Sequence, residues 1–165
     1  LEIFETLWQL GYKNAGVVLQ SALKRSEQDM QRILRLGARI RLVKGAYKES
    51  RSIAYASKSD VDAAYVRMMR VLLTDATYPA IATHDPAMIE ATRDWARERQ
   101  IAPDRFEFQM LFGIRRDLQQ SLVDDGYRVR VYIPFGREWF PYFMRRLGER
   151  PANVAFVLRS LLRER

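Results

Sequence analysis

The feature that most restricts this chain is an alternation of short β-rich runs with longer amphipathic segments, with no obvious hairpin signal between them. "AGVVLQ" (15–20), "RIRLV" (39–43), "AIAT" (80–83), "FEFQML" (106–111) and "YRVRVYI" (127–133) read as five strands. Antiparallel neighbours can be joined by a tight turn, whereas parallel neighbours need a crossover of about a dozen residues or more, usually a helix. The alternation therefore predicts parallel βα units. Two architectures accommodate them: part of a (β/α)8 barrel, or an open doubly wound sheet such as a flavodoxin-like, non-enzymatic binding or regulatory module. Strand order separates the two. Neighbours in sequence order make a barrel arc; a reversal of order makes a doubly wound sheet.

Between the strands, helix starts and stops can be placed. Ser26 is positioned to cap a helix whose Met30, Ile33 and Leu34 share a face before Gly37 closes it. Asp60 is expected to cap the next helix, with Val61, Ala64, Tyr65, Met68 and Leu72 as its apolar stripe. In "HDP", Asp85 suits an N-cap and Pro86 the first helical position. The helix after the fourth strand is expected to stop at Gly126, and two helices are expected around 137–148 and 151–164. The opening "LEIFETLWQLGYKN" reads as a helix feeding a strand, so further βα units are expected upstream.

Composition narrows the class. With 165 residues, 48% of them hydrophobic and 29% charged, the chain suits one soluble globular domain over residues 1–165. No apolar run approaches the ~18 residues of a membrane span, and no signal peptide is visible. The absence of cysteine excludes disulfides and thiolate metal sites and fits a cytoplasmic setting. A net charge of +8 raises nucleic acid, an anionic membrane surface or an acidic ligand as partners. The charges are spread as Arg and Glu along helical faces with no nucleic-acid-binding motif, which favours a solvated surface.

Polar residues gather where the strands end. Gln20, Lys44, Thr83, His84 and Gln109 sit at or near the C-terminal ends, with Arg41 and Tyr132 just inside them. In parallel α/β folds that rim binds ligands, because loops and helix N-termini surround it. In "VKGAY", Gly45 would let the main chain approach a ligand while Lys44 offers charge to a phosphate. Neither a Walker loop nor a G-x-G-x-x-G fingerprint is present. His84, the one histidine, lacks the partners a metal needs, and a hydrogen bond to ligand or to the fold is expected of it. In "PYFMRRLGER", Tyr142, Arg145, Arg146 and Glu149 fall at i, i+3, i+4 and i+7, positions a surface helix normally gives to apolar residues. Aromatic neighbours would bury those guanidiniums, which then need an anion. Their planar forks match a carboxylate, and Glu149 can hold one of them from a turn away.

The motifs "LQSALKR", "RIRLVKGAY", "ATHD", "FEFQMLFGI", "RVRVYIPFG" and "YFMRRLGER", in that order, resemble those of the proline dehydrogenases, including the first domain of bifunctional proline-utilisation proteins. The resemblance implies a distorted (β/α)8 barrel with its last helix over the mouth, of which this chain would be the C-terminal part. It implies FAD as cofactor, oxidation of L-proline to Δ1-pyrroline-5-carboxylate, a quinone acceptor and peripheral contact with the inner face of a membrane. By resemblance, Arg145, Arg146 and Glu149 form the carboxylate clamp, and Tyr132, Tyr142 and Leu111 line the proline ring. Gln20, Lys44, Gly45, Ala46, Thr83 and His84 contact FAD, and Arg41 lies at the catalytic centre near the flavin. A lysine and an aspartate of the family's site would come from the missing N-terminal barrel half.

Overall fold

The computed structural model describes residues 1–45, 49–139, 141 and 144. Five strands follow one another through helical crossovers: α1 (Glu2–Gln9), β1 (Gly16–Gln20), α2 (Ser26–Leu36), β2 (Arg39–Val43), α3 (Lys58–Asp75), β3 (Ala80–Ala82), α4 (Pro86–Glu98), β4 (Glu107–Leu111), α5 (Arg116–Asp124) and β5 (Arg128–Tyr132). All four pairings are parallel and the spatial order is β1-β2-β3-β4-β5. No order switch occurs among the described residues, so the sheet is a barrel arc and the flavodoxin-like alternative falls. Among the described residues, β1 and β5 each keep one unpaired edge.

The period of two along each strand sorts its side chains onto two faces. Leu19, Ile40, Leu42, Ile81, Phe108 and Met110 are buried under the helices. They meet Met30 and Ile33 of α2, Tyr65, Met68 and Leu72 of α3, and Ile89 of α4 in one core. Full burial of such side chains contributes roughly 1.5–3 kcal/mol each, which is why the helices lie on this face. The other face carries Gly16, Val18 and Gln20, then Arg39 and Arg41, then Ala80 and Ala82, followed by Glu107, Gln109, Arg128, Arg130 and Tyr132.

Helix ends follow the expected chemistry in part. Gly37 closes α2 at φ 70°, and Asp85 caps α4 by accepting from the Ala87 N–H at 3.0 Å. Two expected caps are corrected. Ser26 is the first residue of α2, with Arg25 at the cap position, and its hydroxyl donates to the Gln20 carbonyl at 2.6 Å. Asp60 lies inside the first turn of α3; Ser57 is the cap and accepts from the Asp60 N–H at 3.0 Å. The helices expected at 137–148 and 151–164 fall largely outside the described residues.

Tyr65 gives a stability prediction. Its ring is fully buried in α3, and its hydroxyl has no hydrogen-bond partner among the described residues. Burial pushes the phenol pKa far up, so the group stays neutral but still lacks the bonds it had in water. Tyr65→Phe is expected to raise stability by about 1 kcal/mol, read from the urea midpoint. A loss of stability of that size would mean that the hydroxyl is satisfied.

Candidate functional site

The face of the sheet turned away from the helices is polar, which is unusual for an all-parallel sheet. Strand register lines up its residues in rows. Val18, Arg41, Ala80, Glu107 and Arg128 form one; Gln109 and Arg130 pair in the next, and Leu111 and Tyr132 at the C-terminal rim. The short side chain of Ala80 leaves a hollow over β3. Its volume is about 310 Å³, and Arg39, Arg41, Tyr78, Glu107, Gln109 and Arg130 stand around it.

Glu107 anchors one wall. Its carboxylate accepts from Arg130 Nε at 2.7 Å and Nη2 at 2.8 Å, from Gln109 Nε2 at 2.5 Å and from the Tyr78 hydroxyl at 3.4 Å. Burial works to raise its pKa, but the Arg130 and Gln109 hydrogen bonds outweigh that and hold it below the ordinary range. The sequence reading did not single out Glu107 or Arg130. A signal was present: "EFQML" and "RVRVY" place charged or amide side chains at every second position, marking one face of each strand as polar.

Opposite Glu107, the Nε of Arg41 is buried without a partner among the described residues. Such a donor normally has an acceptor, so its hydrogen-bonding capacity is open for a ligand. Gln20 and Gly45 meet on the rim just beyond. Gly45 has φ 106°, and a Cβ there would lie 2.9 Å from Gln20 Oε1 and 3.1 Å from the Ala22 Cβ. Only glycine fits that approach, which accounts for the residue after Lys44.

The remaining rim residues are used by the fold itself. Lys44 turns to the helix side, where its ammonium donates to Asp62 and, at 2.6 Å, to Asp85. Thr83 is buried and its hydroxyl accepts from the Asp85 N–H at 3.1 Å. His84 Nε2 accepts from the Leu111 N–H at 2.8 Å, tying the end of β3 to the end of β4. That imidazole nitrogen therefore carries no proton. Leu111 and Tyr132 are register partners at the rim, with Tyr132 about half exposed. The structure thus joins Gln20 to Gly45 and Leu111 to Tyr132, and directs Lys44 away from the hollow. Ala46, Tyr142, Arg145, Arg146 and Glu149 lie outside the described residues.

Much of the positive charge is answered on helix surfaces: Arg25 pairs with Asp29, Arg32 with Glu5, Arg67 with Glu27 and Arg97 with Asp94. No helix among the described residues is long and apolar enough to cross a membrane.

Comparison with known proteins gives one consistent answer. The family model described as proline dehydrogenase matches residues 1–159. Proline dehydrogenase 2 of Bacillus subtilis (strain 168) is 48% identical over 164 residues, covering 99% of this chain and 54% of that protein. The proline dehydrogenase of Deinococcus radiodurans is 47% identical over 164 residues, covering 99% of this chain and 53% of its own length. The chain thus spans about half the length of the curated relatives it matches. Among solved structures, proline utilization A from Bdellovibrio bacteriovorus, inactivated by N-propargylglycine, superposes with a TM-score of 0.80 at 30% identity. It covers 88% of this chain and 18% of the other. Proline utilization A of Bradyrhizobium japonicum (mutant D778Y) gives 0.74 at 27% identity over 88% of this chain and 17% of that one.

Proposed function

Because the chain belongs to the proline dehydrogenase family, we propose that it is the C-terminal barrel segment of an FAD-dependent enzyme that oxidises L-proline to Δ1-pyrroline-5-carboxylate. The observation that carries the reading is the buried, unpartnered Nε of Arg41 on the open polar face of the arc. A flavin fits there by donor chemistry: its ring nitrogens and carbonyls need hydrogen-bonding groups on an otherwise dry surface, and Arg41 and Gln20 supply them. Gly45 keeps the main chain close to Gln20 without a side chain in the way.

Bound on this face, the flavin would supply the two-electron acceptor for the hydride leaving C5 of proline, and a quinone would then take the electrons. The protein's part is to hold and orient. Arg41 and Gln20 would fix the ring, and Thr83 and His84 shape the rim through their bonds to Asp85 and Leu111. Leu111 and Tyr132 would wall the substrate, while Arg145, Arg146 and Glu149 would grip its carboxylate. Contact with a quinone-bearing membrane would be peripheral.

The test is a chimera in which this chain replaces the matching part of Bacillus subtilis proline dehydrogenase 2. The purified protein should be yellow, and L-proline should bleach the flavin band. A folded chimera that stays colourless with added FAD would overturn the reading.

A further inference from the structure

We propose that His84, together with Gln119, is a positioning residue that holds the main chain of Leu111, and that this hold sets the size of the cyclic amine the site accepts. The inference deepens the reading above, in which Leu111 walls the substrate ring, and rests on it.

The hold begins where β3 runs out. In a parallel ladder, a residue that donates its N–H to one carbonyl of the next strand accepts, at its own carbonyl, from the N–H two residues further along. The Thr83 N–H donates to the Gln109 carbonyl at 3.2 Å, so the next bond would run from the Leu111 N–H to the Thr83 carbonyl. Instead the Leu111 N–H donates to His84 Nε2 at 2.8 Å. The chain is already turning into α4 here: the Asp85 N–H donates to the Thr83 hydroxyl at 3.1 Å, and Asp85 and Pro86 open the helix. An imidazole nitrogen thus takes the place of a ladder carbonyl. With Nε2 as acceptor, the proton of the neutral ring sits on Nδ1 and makes that nitrogen a donor. The tie to Leu111 is therefore compatible with contact between the same residue and FAD.

The Leu111 carbonyl is held as well. It accepts from Gln119 Nε2 of α5 at 3.2 Å and from the Ile114 N–H at 3.2 Å. Gln119 Nε2 also donates to the Ile114 carbonyl at 2.8 Å, closing the turn between β4 and α5. The Phe112 N–H donates to the Tyr132 carbonyl at 2.9 Å, which joins the end of β4 to the register partner of Leu111 on β5. Side chains from two separate elements thus fix the main chain behind one apolar wall. A shift of about 1 Å there decides whether one more ring carbon fits.

His84→Leu, His84→Gln and Gln119→Met test this in the chimera. Leucine removes the acceptor, whereas glutamine carries an oxygen as many bonds from Cβ as Nε2. Two quantities are measured: amide exchange of the Leu111 N–H, and the ratio of kcat/KM for L-proline to that for L-pipecolate, whose ring has one more methylene. Loss of flavin cancels in the ratio, because an empty site turns over neither substrate. One methylene in a fitted pocket is worth about 10–200-fold, so the ratio should fall roughly tenfold or more in His84→Leu and in Gln119→Met. His84→Gln should keep most of the wild-type ratio. Leu111 exchange should accelerate at least about tenfold in His84→Leu and stay near wild type in His84→Gln. An unchanged ratio in His84→Leu means that the imidazole serves the cofactor alone and overturns the proposal. So does unchanged Leu111 exchange, or a His84→Gln ratio as low as that of His84→Leu. If His84→Leu does not fold, Gln119→Met tests the hold from the carbonyl side: a fallen ratio supports it and an unchanged ratio overturns it. A folded wild-type chimera that takes up no flavin removes the flavin reading, and Leu111 exchange then decides the His84 tie by itself.

Discussion

Arg146→Lys in the chimera is expected to raise the KM for L-proline by tens- to roughly a thousandfold while the flavin stays bound. The substitution keeps the positive charge and removes only the planar fork, so a large effect isolates bidentate geometry as the source of affinity. Four residues at i, i+3, i+4 and i+7 in "YFMRRLGE" motivate it, because a helix that devotes its usual apolar stripe to a phenol, two guanidiniums and a carboxylate must turn that stripe towards an anion. Breaking one partner of a buried charged pair typically costs on the order of 2–5 kcal/mol, which sets the size of the expected change. Proline amide provides the control. It lacks the carboxylate, so it should be a poor substrate for the unsubstituted chimera and should lose comparatively little more on substitution. Near-unchanged kinetics, within ~0–1 kcal/mol, would instead describe a solvated arginine pair and would remove the clamp from the proposed site.

What the sequence made legible was whatever repeats at short range. Ile40, Leu42, Ile81, Phe108 and Met110 sit in runs whose period of two marks strands, and the helical spacing between the runs leaves only parallel crossovers. The observed ends of β1 to β5 accordingly lie within one residue of the expected ones. Caps were less legible because the same residue types serve several geometries. Ser26 has the right chemistry for a cap, but the Gln20 carbonyl six residues back competes for its hydroxyl. Asp60 and Ser57 both have cap chemistry, and the extended backbone of Ser57, φ −98° and ψ 148°, is what makes it the cap. Long-range ion pairs were not legible at all. Lys44 meets partners 18 and 41 residues away, and Glu107 meets Arg130 at a distance of 23. No local pattern encodes those meetings; they follow from the strand order. The charge of Lys44 could be read, but not the two carboxylates that answer it.

Those same carboxylates should set the acid limit of the fold. Burial tends to raise the pKa of Asp62, but hydrogen bonds from Lys44 and Lys58 outweigh it, and the folded value is lowered. Asp85 follows the same balance through Lys44 and the Ala87 N–H, and Glu107 through Arg130 and Gln109. A carboxyl whose folded pKa lies below its unfolded one binds its proton more readily when unfolded. Its contribution is therefore complete above the ordinary carboxylate range, about pH 4, and is lost as pH falls through the lower folded value. Urea unfolding free energies should thus be flat through neutrality and drop steeply below about pH 4. Asp62→Asn should lower the neutral plateau by about 1–3 kcal/mol, since Lys44 loses one charged acceptor but keeps Asp85 at 2.6 Å. It should also flatten the acid limb, because one of the protons taken up on unfolding no longer exists to be bound. Glu107→Gln should cost less at neutral pH, as the Arg130 side chain it releases is 63% exposed and water can take over its hydrogen bonds. Parallel curves for wild type and Asp62→Asn across this range would mean that Asp62 titrates alike in both states, and that its pairing with Lys44 gives the folded chain no preference for the charged form.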